Sequence, residues 1–296
     1  MLLSTQTDAL CTTLGDKEGL KLLKEAGFDA FDYSFFPGVA QLESPLCKDD
    51  YLDYYKEIRK YAQKIGIVCN QAHAPFASAF GEPEKDELRF KFIVRSMECA
   101  AVLGAEIVIV HPVKYLPYNE KGNPEKLKEL NFVFYDKLIP YCEKFNIKVA
   151  IENMWEGDKK TNTITHSTCS RAEEFCQYID MMNSRYIVGC LDVGHTSLVR
   201  SDTCEMIRAL GADRLKALHI HDTDCVQDLH TLPFDAKLDH EKFAKTLGEI
   251  NYQGDFTFEA NNFLKKFPIE CYPAALKLMH DVGRYLMKIV EENRTV

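Results

Sequence analysis

The sequence predicts an α/β protein folded as a single (β/α)8 barrel spanning residues 1–296, the TIM-barrel architecture, on three observations. Short apolar runs alternate with longer amphipathic runs eight times along the chain. The clearest apolar run, Glu106-Ile-Val-Ile-Val110, is β-branched throughout, as parallel strands covered on both faces require. Most of these runs end in His, Asp or Glu, so polar groups far apart in sequence would meet at one end of such a barrel. An open doubly wound sheet is disfavoured because no glycine-rich phosphate loop follows the first run, and no Gly-x-Gly-x-x-Gly or Walker sequence occurs.

The elements follow in order. Leu2 to Thr5 is the first strand, and Asp16 to Gly27 a helix with Leu20, Leu23 and Ala26 on one face. Ala30 to Phe36 is the second strand, and Asp50 to Gly66 a helix carrying Tyr51, Tyr54, Ile58, Tyr61 and Ile65 at helical spacing. Ile67 to Ala72 leads into His73-Ala-Pro75, where proline ends the regular structure. Glu84 to Gly104 is a long helix, and the strand that follows it delivers His111-Pro112. Leu127 to Tyr141 reads as one helix that Pro140 should kink or interrupt.

In the second half, Ile147 to Ile151 is a strand ending in Glu152-Asn153, and Arg171 to Met182 is helical. Tyr186 to Leu191 ends at Asp192 and should pass into a loop, with Val193 and Gly194 allowing a sharp turn before His195. Glu205 to Leu210 is a short helix, and Leu215 to Ile220 a strand that places His219 and His221 on one face by the two-residue period. Glu241 to Ile250 is helical, Asp255 to Phe258 is the eighth strand and ends in Glu259, and Ala274 to Glu291 is the closing helix.

The bulk composition narrows the function. A hydrophobic content of 46% in 296 residues supports a large core without staples, and 27% charged residues are too well mixed for general disorder. The net charge of −9 disfavours a broad phosphate-binding surface and hence nucleic acid as a partner. Eleven cysteines, an odd number with no Cys-x-x-Cys pair, read as reduced thiols in a cytoplasmic setting. No apolar stretch approaches the roughly 18 residues needed to cross a bilayer, so no membrane association is expected.

At the C-terminal mouth of a barrel, His73, His111, Glu152, Asp192, His195, His219 and Glu259 would ring one cavity. Three carboxylates buried together cost several kcal/mol unless compensated, and a divalent cation is the simplest compensation. The spacing leaves open whether His219 or His221 is the ligand. Asp222, Asp224, Asp228 and His230 form a loop polar enough to be simply solvated.

The segments His73-Ala-Pro75, Val110-His-Pro112, Ile151-Glu-Asn153, Leu191-Asp-Val-Gly-His-Thr196, Leu218-His-Ile-His-Asp222 and Phe258-Glu-Ala260 together resemble the xylose-isomerase-like TIM-barrel superfamily over nearly the whole chain. That superfamily includes sugar isomerases and epimerases as well as endonuclease IV. The resemblance implies one divalent cation, Mn²⁺, Mg²⁺, Co²⁺ or Zn²⁺, held by Glu152, Asp192, His219 and Glu259. It implies Glu152 and Glu259 as the catalytic pair of an isomerase or epimerase acting through a metal-stabilised cis-enediolate on a sugar, sugar phosphate or keto-polyol.

His195 matches a substrate-contacting histidine of the ketose 3-epimerases. Their arginine six residues past the metal histidine is replaced here by Cys225, a departure that weighs against the same sugar specificity. His73, His111, His221, His230 and Trp155 are the remaining substrate-binding candidates. Phe35 and Phe36, with Trp155, are candidates for an apolar wall, and Glu156 to Cys169 for a lid. The alternative the resemblance carries is a zinc-dependent phosphodiesterase resembling endonuclease IV, for which His73, His111, Asp228 and His230 lie where extra zinc ligands would be. Assembly into homo-oligomers is the default expectation for such barrels.

Overall fold

The structure, a computed structural model, describes residues 1–158 and 163–295. The barrel strands are β1 (Leu3–Thr5), β2 (Ala30–Ser34), β3 (Val68–His73), β4 (Ile107–Ile109), β5 (Lys148–Glu152), β8 (Ile187–Asp192), β9 (Leu215–His219) and β10 (Phe256–Phe258). A hairpin of β6 (Trp155–Asp158) and β7 (Thr163–His166) is inserted after β5. Parallel pairing runs β2-β3-β4-β5-β8-β9, and β1 pairs with β10. Single parallel bridges, Gln6 to Asp32 and Ile220 to Phe258, close the ring on both sides of that pair. The expected (β/α)8 barrel is the observed fold.

The principal outer helices are α2 (Asp16–Ala26), α3 (Tyr51–Ile65), α4 (Pro83–Leu103), α5 (Asn123–Asp136), α6 (Ile139–Phe145), α7 (Ala172–Asp180), α9 (Thr203–Arg214), α10 (His240–Glu249) and α11 (Tyr272–Glu292). Three places depart from expectation. The Leu127 to Tyr141 helix is two helices: α5 stops at Asp136, and Pro140 sits in the first turn of α6, where its missing N–H is no loss. Two short helices stand at the mouth: α1 (Asp8–Leu14), right after β1, where no element is expected, and α8 (Val193–Leu198), right after β8, where a loop is expected. The stretch expected as a lid is largely the β6–β7 hairpin; its residues 159–162 lie outside the described residues.

The barrel has two cores. The larger lies between strands and helices and is built from side chains such as Phe31, Ile93, Met97, Phe175, Leu247 and Leu276. The smaller lies inside the barrel on one side, where Ile109, Ala150, Val188, Cys190 and Ala217 pack together. Because strand side chains repeat every two residues, the next inward positions after Ile109, Ala150, Cys190 and Ala217 are His111, Glu152, Asp192 and His219. The apolar plug therefore sets the height at which the polar residues emerge. The other side of the interior is polar, with Ser4 and Thr257 sharing a 2.8 Å hydrogen bond and Gln71 Nε2 donating to Asp32 at 2.9 Å. Among the described residues no helix is long and apolar enough to cross a membrane.

Candidate metal centre

Glu152, Asp192, His219 and Glu259 come from β5, β8, β9 and the end of β10, and each offers a ligand atom within 4.8 Å of the others. His219 Nδ1 lies 3.1 Å from Glu152 Oε1 and 3.2 Å from Glu259 Oε2, so two carboxylates converge on one imidazole nitrogen. Glu259 is aimed by Gln6, whose Nε2 donates to Oε1 at 2.8 Å. Asp192 is held by its backbone: Asn153 accepts from its N–H at 2.8 Å and donates to its carbonyl at 3.0 Å. All four residues are buried, and His73 and His111 flank them, with His111 Nε2 2.9 Å from Glu152 Oε2.

A second set stands nearer the rim, where His195, Asp228 and His230 also bring three ligand atoms within 4.8 Å. His230 Nε2 is 3.1 Å and His195 Nε2 3.6 Å from Asp228 Oδ2, which also accepts from Trp155 Nε1 at 3.1 Å. These residues do not come from strand ends. Asp192 caps α8 by accepting from His195 N at 2.7 Å, so no sharp loop turn forms, and the helix start presents His195. His195 Nδ1 lies 2.8 Å from the Asn153 carbonyl, which fixes its proton there and turns Nε2 to the cavity. Asp228 and His230 ride on a loop that Asp222 folds back, its carboxylate accepting from the amides of Thr223, Ala236, Lys237 and Leu238.

His221 links the two sets. Its Nε2 is 3.0 Å from Asp192 Oδ1, and its ring stacks on His230 with centroids 4.1 Å apart. Gly194 lets it lie there: a Cβ at that position would come within 2.0 Å of His221 Cε1.

The electrostatics show a site crowded with opposed charges. Burial pushes the Glu152 carboxyl up, but His219 and His111 outweigh it and hold it well below the usual range. Burial likewise opposes ionisation of Asp192, yet His195 and His221 keep it at about 2. On the rim, burial lowers His195 but Asp192 and Asp228 raise it to about 9; burial lowers His230 but Glu259 and Asp228 raise it to about 10. His111 goes the other way, because burial takes it down to about 4 despite Glu152. Protons on histidines thus neutralise acids where a cation would, which couples cation binding to proton release.

A cavity of about 550 Å³ opens above both sets, and His73, His111, Glu152, Trp155, His195, His230 and Glu259 line it. Asp192, His219 and His221 lie beneath it, fully buried. The expected aromatic wall differs. Phe35 is buried outside the barrel against Tyr33 and Tyr55, and Phe36 sits behind His73, while Phe76, Phe80, Tyr115 and Met154 form the wall beside Trp155. Residues not singled out from sequence include Gln6, Asp32, Gln71 and Lys114. Asp32 had a readable signal, a lone acid inside the apolar run Ala30-Phe-Asp-Tyr33; the others had none.

The donor set matches a divalent cation on its chemistry. It offers three carboxylates and one imidazole out of water, and on the rim Asp228 Oδ1 lacks a hydrogen-bond partner among the described residues. The comparisons with known proteins agree with the fold. Protein y4fM of Sinorhizobium fredii is 26% identical over 272 residues, covering 83% of this chain and 81% of that one. Probable endonuclease 4 of Bacillus licheniformis is 26% identical over 183 residues, covering 57% of each. Among solved structures, a D-tagatose 3-epimerase-like protein superposes with a TM-score of 0.76 at 18% identity, covering 99% of both chains, a likeness of fold. A family profile described as Xylose isomerase-like TIM barrel matches residues 20–281, and the chain belongs to that family.

Proposed function

We propose that this chain is a divalent-metal-dependent isomerase or epimerase of a small sugar, sugar phosphate or keto-polyol. The observation that carries the reading is the pair Glu152 and Glu259, which approach His219 Nδ1 from β5 and from the end of β10 and both reach the cavity. Glu152, Asp192, His219 and Glu259 would hold the cation, which supplies Lewis acidity to two neighbouring substrate oxygens. One glutamate takes the proton from the carbon next to the substrate carbonyl, leaving an enediolate. In an epimerase the other returns a proton to the opposite face; in an isomerase the proton goes back to the neighbouring carbon. His195, with Nδ1 anchored on Asn153, presents Nε2 to a substrate oxygen, and Trp155, Phe76 and Phe80 exclude water.

A second reading, phosphoester hydrolysis at a multinuclear centre, is favoured by the rim set of His195, Asp228 and His230 and by His73 and His111 beside Glu152. The Bacillus relative, which the chain matches over 57% of its length, is named a probable endonuclease 4.

The test is elemental analysis of the purified, unchelated protein and of Asp192→Ala, followed by ketose incubation in D₂O. About one ion per chain, lost in the variant, with deuterium entering a ketose, is the expected result. About three ions per chain with cleavage of an abasic-site oligonucleotide and no exchange would replace the lead reading by the second.

A further inference from the structure

We propose that Asp32 is a positioning residue for the metal ligand His219. Asp32 lies on β2, whose outward side chains Phe31 and Tyr33 pack in the outer core, so its own side chain enters the barrel interior. It is fully buried, does not line the cavity, and no step of the proposed reaction uses it. A carboxylate in that position costs several kcal/mol unless something offsets it. Its surroundings are specific: Oδ2 accepts from Gln71 Nε2 at 2.9 Å, and Oδ1 has no hydrogen-bond partner among the described residues. The charged group it faces is His219, whose Nε2 makes no other hydrogen bond among the described residues and lies 3.3 Å from Oδ2 at ion-pair distance.

His219 is thereby caught between acids on both sides, with Nδ1 toward Glu152 and Glu259 and Nε2 toward Asp32. A neutral imidazole has one N–H and one lone pair, and only the lone pair binds a cation. An acceptor at Nε2 keeps the proton there and leaves the Nδ1 lone pair directed at the cation between the glutamates. Carboxylates behind ligating histidines act in this way, and losing them costs about 10–100-fold in metal affinity. Gln71 makes the arrangement directional, because its amide nitrogen also faces the Leu218 carbonyl at 3.4 Å and so stays turned as a donor toward Asp32.

That geometry gives a test that packing would not reproduce. In Asp32→Asn the amide oxygen, held by Gln71 Nε2 where Oδ2 is, still faces His219 Nε2 and keeps an acceptor there without the charge. Asp32→Leu keeps the volume and removes the acceptor. The inference rests on the cation reading of the site, so the experiment begins with Co²⁺ titration of the chelator-stripped, full-length wild type. It continues with both variants, and with thermal unfolding of each metal-free protein.

The expected result is a Co²⁺ Kd raised about 10–100-fold in Asp32→Leu and less in Asp32→Asn, with each metal-free variant still unfolding in one cooperative transition. Wild-type Kd values in both variants, or a larger loss in Asp32→Asn than in Asp32→Leu, would overturn the role of Asp32 while leaving the cation site intact. Failure of the wild type itself to bind Co²⁺ would overturn both.

Discussion

Of the four overlapping ligand-capable sets among the described residues at the mouth, the deep one and the rim one share no residue and differ in origin and in chemistry. The deep set, Glu152, Asp192, His219 and Glu259, is three carboxylates and one imidazole on strand ends, all buried. The rim set, His195, Asp228 and His230, is two imidazoles and one carboxylate on a short helix and a loop, and His230 and Asp228 are only partly buried. The deep set suits oxygen-preferring ions such as Mn²⁺ or Mg²⁺ as well as Co²⁺, and the rim set suits nitrogen-preferring Zn²⁺. The strands, held by ladder hydrogen bonds on both sides, place a ligand rigidly. Loops do so only when something ties them, as Asp222 does here with four backbone amides.

Glu152 is the residue on which this contrast turns, because Oε1 faces His219 in the deep set and Oε2 faces His111 on the flank. Glu152→Gln keeps the shape and removes both the charge and the proton acceptor. Truncating one member of a buried charged group costs about 3–5 kcal/mol. Solvent-deuterium exchange into substrate should therefore fall by two or more orders of magnitude, with cation affinity falling as well. Exchange at the wild-type rate would show that the deep set is not the reacting one.

Gly194→Ala tests the join between the sets. The added methyl would collide with the His221 ring, which must swing away from Asp192 and from its stack on His230. Overpacking of this kind costs about 1–3 kcal/mol. A fall of several degrees in melting temperature together with weaker metal binding is expected, and an unchanged melting curve would mean that His221 is free to move at no cost.

The smallest expected effect is a pH dependence that singles out the rim. In the metal-free protein His195 and His230 are raised from 6.5 to about 9 and about 10. Groups raised in this sense stabilise the fold fully below their unfolded pKa, and the contribution is lost as pH rises through the folded values. The chelator-stripped protein should therefore become less stable between pH 6.5 and about 10, with a shallower slope in His230→Asn. A slope identical in that variant would remove His230 from the account.

The barrel and the ring of polar residues at its strand ends were legible in the chain because both follow from a short period, while the choice of Glu152, Asp192, His219 and Glu259 within that ring came from the family resemblance. Apolar runs that alternate with amphipathic ones announce strand and helix, and a polar residue at the end of each run must emerge at one mouth if the ring closes. The rim was legible only as chemistry. Asp228 and His230 read as a polar loop, and nothing local says that Asp222 folds the loop inward until His230 stacks on His221. Trp155 was identified, but its neighbours in the wall were misplaced: Phe35 and Phe36 follow β2, and alternation alone does not say how far the chain runs before it turns away.

What the sequence determined by itself is the ordering of elements, the two-residue step from Ala150, Cys190 and Ala217 to Glu152, Asp192 and His219, and the reduced state expected of its cysteines, all of which are free in the structure. What only the tertiary structure decided is which nitrogen meets which oxygen. Whether His219 or His221 joins the two glutamates depends on how the ring of strands staggers: His219 faces Glu152 and Glu259, and His221 faces Asp192. Register between strands distant in sequence is fixed by hydrogen bonds and packing around the whole barrel, and no local pattern encodes it.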